Sequence, residues 1–283
     1  MRDWYGHLPA WYVGFDDATG FTSAVLCAVL FGCLALVLPF RRQQGRIELG
    51  WDLAAFGVTI LVTFLYLGPF ESLLLERIDQ RIGGRLDAYH GGYDWLPTPA
   101  LVLLWLLVAD LLYYCAHRFL HSSLLWHAHA FHHKPEHINP LSGVRASPLH
   151  VVVLAVSGTI AYLLLPYPEA GLAVLAHSVL SACVPFYAHA NLRVPFASYL
   201  EYVFVTPRFH FVHHSRDRRY SDTNFGEVLT IWDRIFGTFT NPDTVPLDEP
   251  TGLNYELSNL RAMLGLPPTR TDNAPSRDRA PAS

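Results

Sequence analysis

From Asp110 to His133 the chain reads DLLYYCAHRFLHSSLLWHAHAFHH, an apolar run of membrane character that continues directly into histidines at helical spacing. Further along the pattern returns as HFVHH, His210 to His214. On a helix, His117 and His121 lie one turn apart on one face, as do His129, His132 and His133, and again His210, His213 and His214. Such faces suit a metal, because a neutral imidazole nitrogen ligates iron, zinc, copper or nickel. A structural zinc site takes four ligands, often with cysteines. These clusters offer eight histidines and no neighbouring cysteine pair, so the surplus implies two ions. Zinc sites that generate hydroxide bring a glutamate beside the histidines, as HExxH does. Neither HxxHH run contains one, which favours redox chemistry.

Composition agrees with a chain that lives in lipid. Of 283 residues 51% are hydrophobic, and the mean hydropathy is positive. The formal net charge of −4 and the absence of a basic stripe set nucleic acid aside as a partner. Cys27, Cys33, Cys115 and Cys183 lie in apolar stretches without CxxC spacing and read as small buried hydrophobes. The first twenty residues hold Trp4, Tyr5, Trp11, Tyr12 and Phe15, which suits a membrane interface. They lack a short apolar run with a cleavage site, so no removable signal peptide is expected.

Taken in order, Phe21 to Phe40 is uncharged and long enough to span, and Arg41, Arg42 and Arg46 place its far end in the cytoplasm. Trp51 to Phe70 returns outward, with Asp52 near its cytoplasmic mouth. Residues 71–98 form an outer loop with room for one amphipathic helix. Its Arg77, Arg81 and Arg85 run against that orientation. Pro99 to Ala116 is a third span that delivers His117 and His121 just past the membrane. Asp110 lies within it on the His117 face. A carboxylate there needs a partner, either a ligating imidazole or a packing contact with Arg118 or a tyrosine.

Ser122 and Ser123 read as caps for a helix from Leu124 that carries His129, His132 and His133 and ends before Pro135. His127 falls on the opposite side and is not counted as a ligand; His137, beyond the proline, is a weak candidate. Leu149 to Pro166 and Ala170 to Tyr187 form a membrane hairpin or two further spans. They return the chain so that His189 joins the other histidines, with His177 as buried structure and His150 undecided. Residues 194–206 are interfacial, and Thr206 with Pro207 opens the helix of the last cluster. Gly226 to Phe236 reads as an amphipathic helix, and the tail beyond Leu266 as disordered. Neither a GxGxxG nor a phosphate loop occurs, so redox electrons would come from another protein.

With these residues in hand, the chain resembles the fatty acid hydroxylase family, also called the sterol desaturase family, of integral membrane diiron oxygenases. The resemblance runs from Leu101 to Phe239. It is carried by Asp110, HRFLH at 117–121, WHAHAFHH at 126–133, Asn139, Arg145, His189 with Asn191, TPRFHFVHH at 206–214, NFG at 224–226 and WDRIFGTF at 232–239. It implies an all-α integral membrane protein, with four to five transmembrane helices or a membrane-embedded hairpin under a cytoplasmic histidine-rich helical cap. The domains would be a membrane region at 1–98, a catalytic domain at 99–240 and an extension at 241–283.

By position, the ligands implied are His117, His121, His129, His132, His133, His189, His210, His213 and His214, with Asp110 and Asn224 supporting them. The chain departs from some members at Pro185, where they carry a tenth histidine, and at Ser147 and His150. The implied cofactors are two iron ions with O2 as co-substrate. The implied partners are a lipid substrate, the membrane and an external electron donor of ferredoxin or cytochrome b5 type with its reductase. The expected activity is hydroxylation of an unactivated C–H in an acyl chain, headgroup, sterol-like ring or carotenoid, on the cytoplasmic side of a bacterial inner membrane. Desaturation is the alternative within the family. A membrane metal transporter or sensor is the alternative outside it, disfavoured because the histidines gather at one surface rather than at the midplane.

Overall fold

The computed structural model describes residues 20–66, 70–166 and 183–269. The N-terminal aromatic segment, most of the second arm of the expected hairpin with His177, and the tail from 270 onward lie outside the described residues. Among those described the chain is helical throughout, with two isolated bridges, Phe204 to Leu229 and Ser215 to Thr251, and no other β-structure.

Helices α1 (Phe21–Val37), α2 (Leu49–Leu65), α5 (Thr98–Leu120) and α7 (Pro148–Leu164) are the apolar ones. Pro39 cannot donate to a helix and residue 38 is disfavoured there, so α1 stops at Val37, short of the expected Phe40. Only α5, at 23 residues, is both long and apolar enough to cross a bilayer among the described residues; the other three have 17. Leucines and valines such as Leu26, Val29, Leu36, Leu53, Leu61 and Leu103 face outward along these helices, a surface that suits lipid better than water. The same outward faces carry Cys33 and Cys115, which are exposed rather than buried as expected. Cys27 and the half-buried Cys183 bring their Sγ atoms to 2.9 Å.

Within the bundle α5 packs chiefly on α7, and α2 packs on α7 and on the 3-10 turn Pro140–Val144. The outer loop holds two helices, α3 (Glu71–Arg81) and α4 (Leu86–Gly91), where the sequence suggested one. The α1–α2 connection folds back on the histidine region. Gln43 exchanges two hydrogen bonds with the Ile138 backbone, and Asn191 exchanges two with that of Arg41.

Helix α6 (Trp126–His133) begins two residues later than expected and neither serine side chain caps it; the Trp126 N–H bonds instead to the Ser122 carbonyl. After the short α8 (Ala197–Leu200) comes α9 (Pro207–His213), started as expected by Thr206 Oγ1 accepting from the Phe209 N–H, with proline at its first position. Helix α10 (Arg218–Ser221) follows.

The amphipathic helix expected from Gly226 to Phe236 shrinks to α11 (Ile231–Ile235). Two carboxylates take the N–H groups a longer helix would have used. Asp233 accepts from Phe225 and Gly226, and Asp110 accepts from Val228 and Leu229. Gly226 is required there, because a Cβ would fall 2.5 Å from the Leu229 carbonyl oxygen. Helix α12 (Asn259–Met263) then lies along α6, burying Leu257 and Ala262 against Ala130 and Phe131.

Candidate metal centre

Nine imidazoles from four elements meet at the polar end of α5. His117 lies in the last turn of α5 and His121 at its C-cap. His129, His132 and His133 come from α6, His210 and His213 from α9 with His214 at its C-cap, and His189 from the stretch before α8. They sort into two groups able to hold a metal ion: His117, His121, His129, His133 and His213, called group A; and His132, His189, His210 and His214, called group B. The nine histidines singled out from the sequence are the nine brought together. His127 and His137 stand outside both groups.

The outer nitrogens of these rings show which way the inner ones face. His117 Nδ1 donates to the Phe225 carbonyl at 2.9 Å, His213 Nδ1 to Thr223 at 2.8 Å, His189 Nδ1 to Pro185 at 2.6 Å and His132 Nδ1 to Arg145 at 3.3 Å. A neutral imidazole carries one N–H, so each of these rings presents a bare Nε2 lone pair to the interior.

In group B, His189 Nε2 lies 3.2 Å from His132 Nε2 and 3.0 Å from the Nε2 atoms of both His210 and His214. In group A, His121 and His133 approach Nε2 to Nε2 at 3.1 Å. The Nε2 atoms of His117, His129 and His213 are buried without a hydrogen-bond partner. His132 and His189, whose outer nitrogens donate to carbonyls, put two bare lone pairs 3.2 Å apart, and a shared cation turns that repulsion into binding. Two nitrogens each about 2.1 Å from one ion, at angles near 90–110°, fall roughly 3.0–3.4 Å apart. The residues present therefore fit a pair of metal ions.

Burial keeps the cage neutral. It is the leading cause that holds His121, His129, His132, His133, His210, His213 and His214 well below 6.5, with neighbouring imidazoles adding to it. His189 falls to about 3 for the same first reason, against the opposing pull of its Pro185 bond. Deprotonated ligands cost nothing to prepare at pH 7, which favours metal uptake.

Asp110 does not reach an imidazole, nor do its hydrogen bonds go to Arg118 or a tyrosine. Its carboxylate accepts from the Val228 and Leu229 N–H groups and from the Trp232 indole at 2.9 Å. It thereby anchors the loop whose Phe225 carbonyl holds His117. Asn224 works on the same loop, at φ +58, a left-handed conformation that Asn tolerates. Its amide donates to Phe209 and Thr240 and accepts from the Thr240 N–H, and its neighbours Thr223 and Phe225 supply the carbonyls on His213 and His117.

The sequence singled out Asp52, Asn139 and Arg145 without showing that they meet. Arg145 is buried in an ion pair with Asp52 of α2 at 2.6 Å and also meets Glu48, while its own carbonyl holds His132. Asn139 donates to the other Asp52 oxygen. An aspartate in an apolar span was the available signal, since a buried charge needs an opposite one. Gly143 admits the 3-10 turn against His189; a Cβ there would sit 2.2 Å from the Pro185 carbonyl oxygen. His121 alone among these rings bonds a solvent-facing acid, Asp222, at 3.2 Å.

Comparison with known proteins agrees with this geometry. The family model for fatty acid hydroxylase matches residues 102–238, a stretch that carries all nine histidines. Residues 102–238 form a fatty acid hydroxylase domain. An ornithine lipid hydroxylase of Rhizobium tropici is 33% identical over 158 residues, 55% of this chain and 47% of that one. An alkylglycerol monooxygenase of Danio rerio is 37% identical over 209 residues, 69% of this chain and 44% of that one. The human alkylglycerol monooxygenase is 34% identical over 131 residues, covering 46% and 28%. The chain thus spans less than half the length of these curated relatives. No solved structure matches. The match ends before Phe239, and α12, which lies along α6, and the isolated bridge at Thr251 fall beyond it.

Proposed function

We propose that this chain is a membrane-bound oxygenase that holds two iron ions, one in each histidine group, and hydroxylates an unactivated C–H bond of a lipid. The observation that carries the reading is the convergence of nine inward-facing imidazole nitrogens in two groups, with the outer nitrogens of His117, His132, His189 and His213 fixed by backbone carbonyls. When bound, the irons would supply activation of O2 with two electrons and two protons, leaving one oxygen atom in the lipid and one in water.

The chain's own residues do the rest. The buried imidazoles bind without releasing protons, and the buried Phe225 ring, packed on His117, His121 and His213, shields group A from water. Support for a membrane setting comes from α5 and from the exposed aromatic face beside it. Phe196, Tyr199, Tyr202 and Phe204 stand out on one segment, Ile231, Ile235 and Phe236 on another, and the Asp110 bonds tie the second to α5.

The relatives are named for an ornithine lipid and an alkylglycerol, and a polar-headed membrane lipid is the first substrate class to test. Electrons would come from a separate ferredoxin- or cytochrome b5-like donor. The catalytic unit is residues 99–240, between a membrane region at 1–98 and an extension at 241–283, with its site on the cytoplasmic side of a bacterial inner membrane.

Metal analysis of protein purified in mild detergent, paired with mass spectrometry of lipids from cells with and without it, tests this. Two irons per chain and a lipid heavier by one oxygen are expected. A lipid lacking two hydrogens would make it a desaturase. A single zinc with unchanged lipids would overturn the reading in favour of metal handling.

A further inference from the structure

His150 is outside both histidine groups yet its ring packs against one member of each. It is 4% exposed, and its ring centroid lies 4.5 Å from that of His129 and 5.5 Å from that of His132. The two Nδ1 atoms of His150 and His129 are 3.3 Å apart. Neutral rings at this separation share one hydrogen bond, in which one donates and the other accepts.

The direction of that bond decides whether His129 can ligate. If His129 donates through Nδ1–H, its Nε2, buried and without a hydrogen-bond partner, is a bare lone pair facing group A. If His150 donates, the single proton of His129 moves to Nε2 and the lone pair is lost. His117, His132, His189 and His213 face no such choice, because a backbone carbonyl can only accept. His129 is paired with a residue able to do either.

The fold delivers His150 firmly. It is the third residue of α7, and Ser147, which caps that helix by accepting from the His150 N–H, donates its own Oγ–H at 2.7 Å to the carbonyl of Ala128, the residue before His129. One serine thus fixes the start of α7 to the turn of α6 that carries the ligand.

We infer that His150 is a positioning residue of the metal centre, which accepts the His129 Nδ1–H and so keeps the His129 Nε2 lone pair on the side of group A. The inference rests on the metal-centre reading above. It requires His150 to carry its own proton on Nε2, away from His129.

The test uses the full chain in detergent, stripped of metal and titrated with Co(II), reading affinity by chelator competition and the ligand set by the Co(II) absorption spectrum. His150→Leu fills the space but cannot accept. It should weaken one of the two sites by about 10–100-fold and alter the spectrum of that site. His150→Gln, whose amide oxygen accepts, should restore affinity and spectrum toward those of the wild type, which a role in packing alone would not predict. A His150→Leu protein that binds both ions with the wild-type affinity and spectrum overturns the inference, as does a His150→Gln protein as weak as the leucine variant. Wild-type protein that takes up no metal would overturn the metal-centre reading and this inference with it. Two tightly bound ions in both wild type and His150→Leu would overturn the inference alone.

Discussion

Helices α6 and α9 carry the same HxxHH spacing and serve opposite groups. On α6 the first and last histidines, His129 and His133, enter group A while His132 enters group B. On α9, His210 and His214 enter group B while His213 enters group A. The rule beneath the exchange is shared. Imidazoles at i and i+4 stack on one helical face and enter one group, and the i+3 ring, rotated away, reaches the other. The HxxxH of α5 obeys it too, adding His117 and His121 together to group A. The totals then differ, five imidazoles against four, and group B is the one closed by His189 alone. Pro185 occupies the position one turn before His189 where a further histidine would have pointed the same way, and offers its carbonyl to His189 Nδ1 instead.

The sharpest way to break this comparison is to remove the ring that crosses over. His132→Ala should empty group B and His213→Ala group A, each lowering bound iron from two ions toward one and activity by well over about a hundredfold, more than the loss of an outer partner costs. Iron counted by mass spectrometry alongside lipid oxidation checks it, and full activity in either variant would refute the assignment.

A second test asks whether group B depends on the apolar helix α2. Asp52→Ala leaves the buried Arg145 guanidinium short of its main partner, and Arg145 also holds His132 through its carbonyl. Thermal unfolding in detergent should show a loss of roughly 3–5 kcal/mol. A change within error would mean that Glu48 suffices.

Metal-free protein should also lose stability in acid. The buried imidazoles titrate below the unfolded value of 6.5, with His189 at about 3. The unfolded chain therefore binds more protons as pH falls below about 6.5, and stability declines by up to about 1.4 kcal/mol per pH unit for each such ring. The benefit is fully present above that pH and is lost toward the depressed native values. Unfolding midpoints that stay flat between pH 7 and pH 4 would contradict burial of neutral rings.

Smaller effects separate the outer partners. Asp222→Asn removes a charge that is 52% exposed and holds His121 from the solvent side, so metal affinity should fall by less than in His150→Leu. Smallest of all, His127→Ala should be close to silent in metal content and activity, since His127 lies on α6 two residues before His129 but belongs to neither group. Loss of an ion there would mean that the helical phase of the box is misassigned.

How much was legible in the sequence depends on the range of the interaction that decides each feature. The i, i+4 pairing within the three boxes, the Thr206–Pro207 start of α9 and the apolar length of α5 follow from spacing and capping within a few residues, and the structure shows each of them, while the i+3 rings His132 and His213, expected on the same face, turn to the other group. The extent of α11 does not. Its apolar periodicity runs from Gly226, yet Asp110 and Asp233 capture the backbone N–H groups that would have extended the helix. Asp110 illustrates the same limit. An acid inside an apolar helix announces that it has a partner, but that partner proved to be a loop more than a hundred positions away.

By itself, then, the sequence determined that this protein presents eight histidines on helices at and beyond the end of a membrane-length segment, because residue type and a 3.6-residue period are local properties. Tertiary structure alone decided how the nine divide into five and four and which carbonyls of Phe225, Thr223, Arg145 and Pro185 aim them. It also decided that His150 joins His129 and that Arg145 locks α2 to the cage. Those outcomes depend on where separate helices lie against one another, and distance through space is not written in distance along the chain.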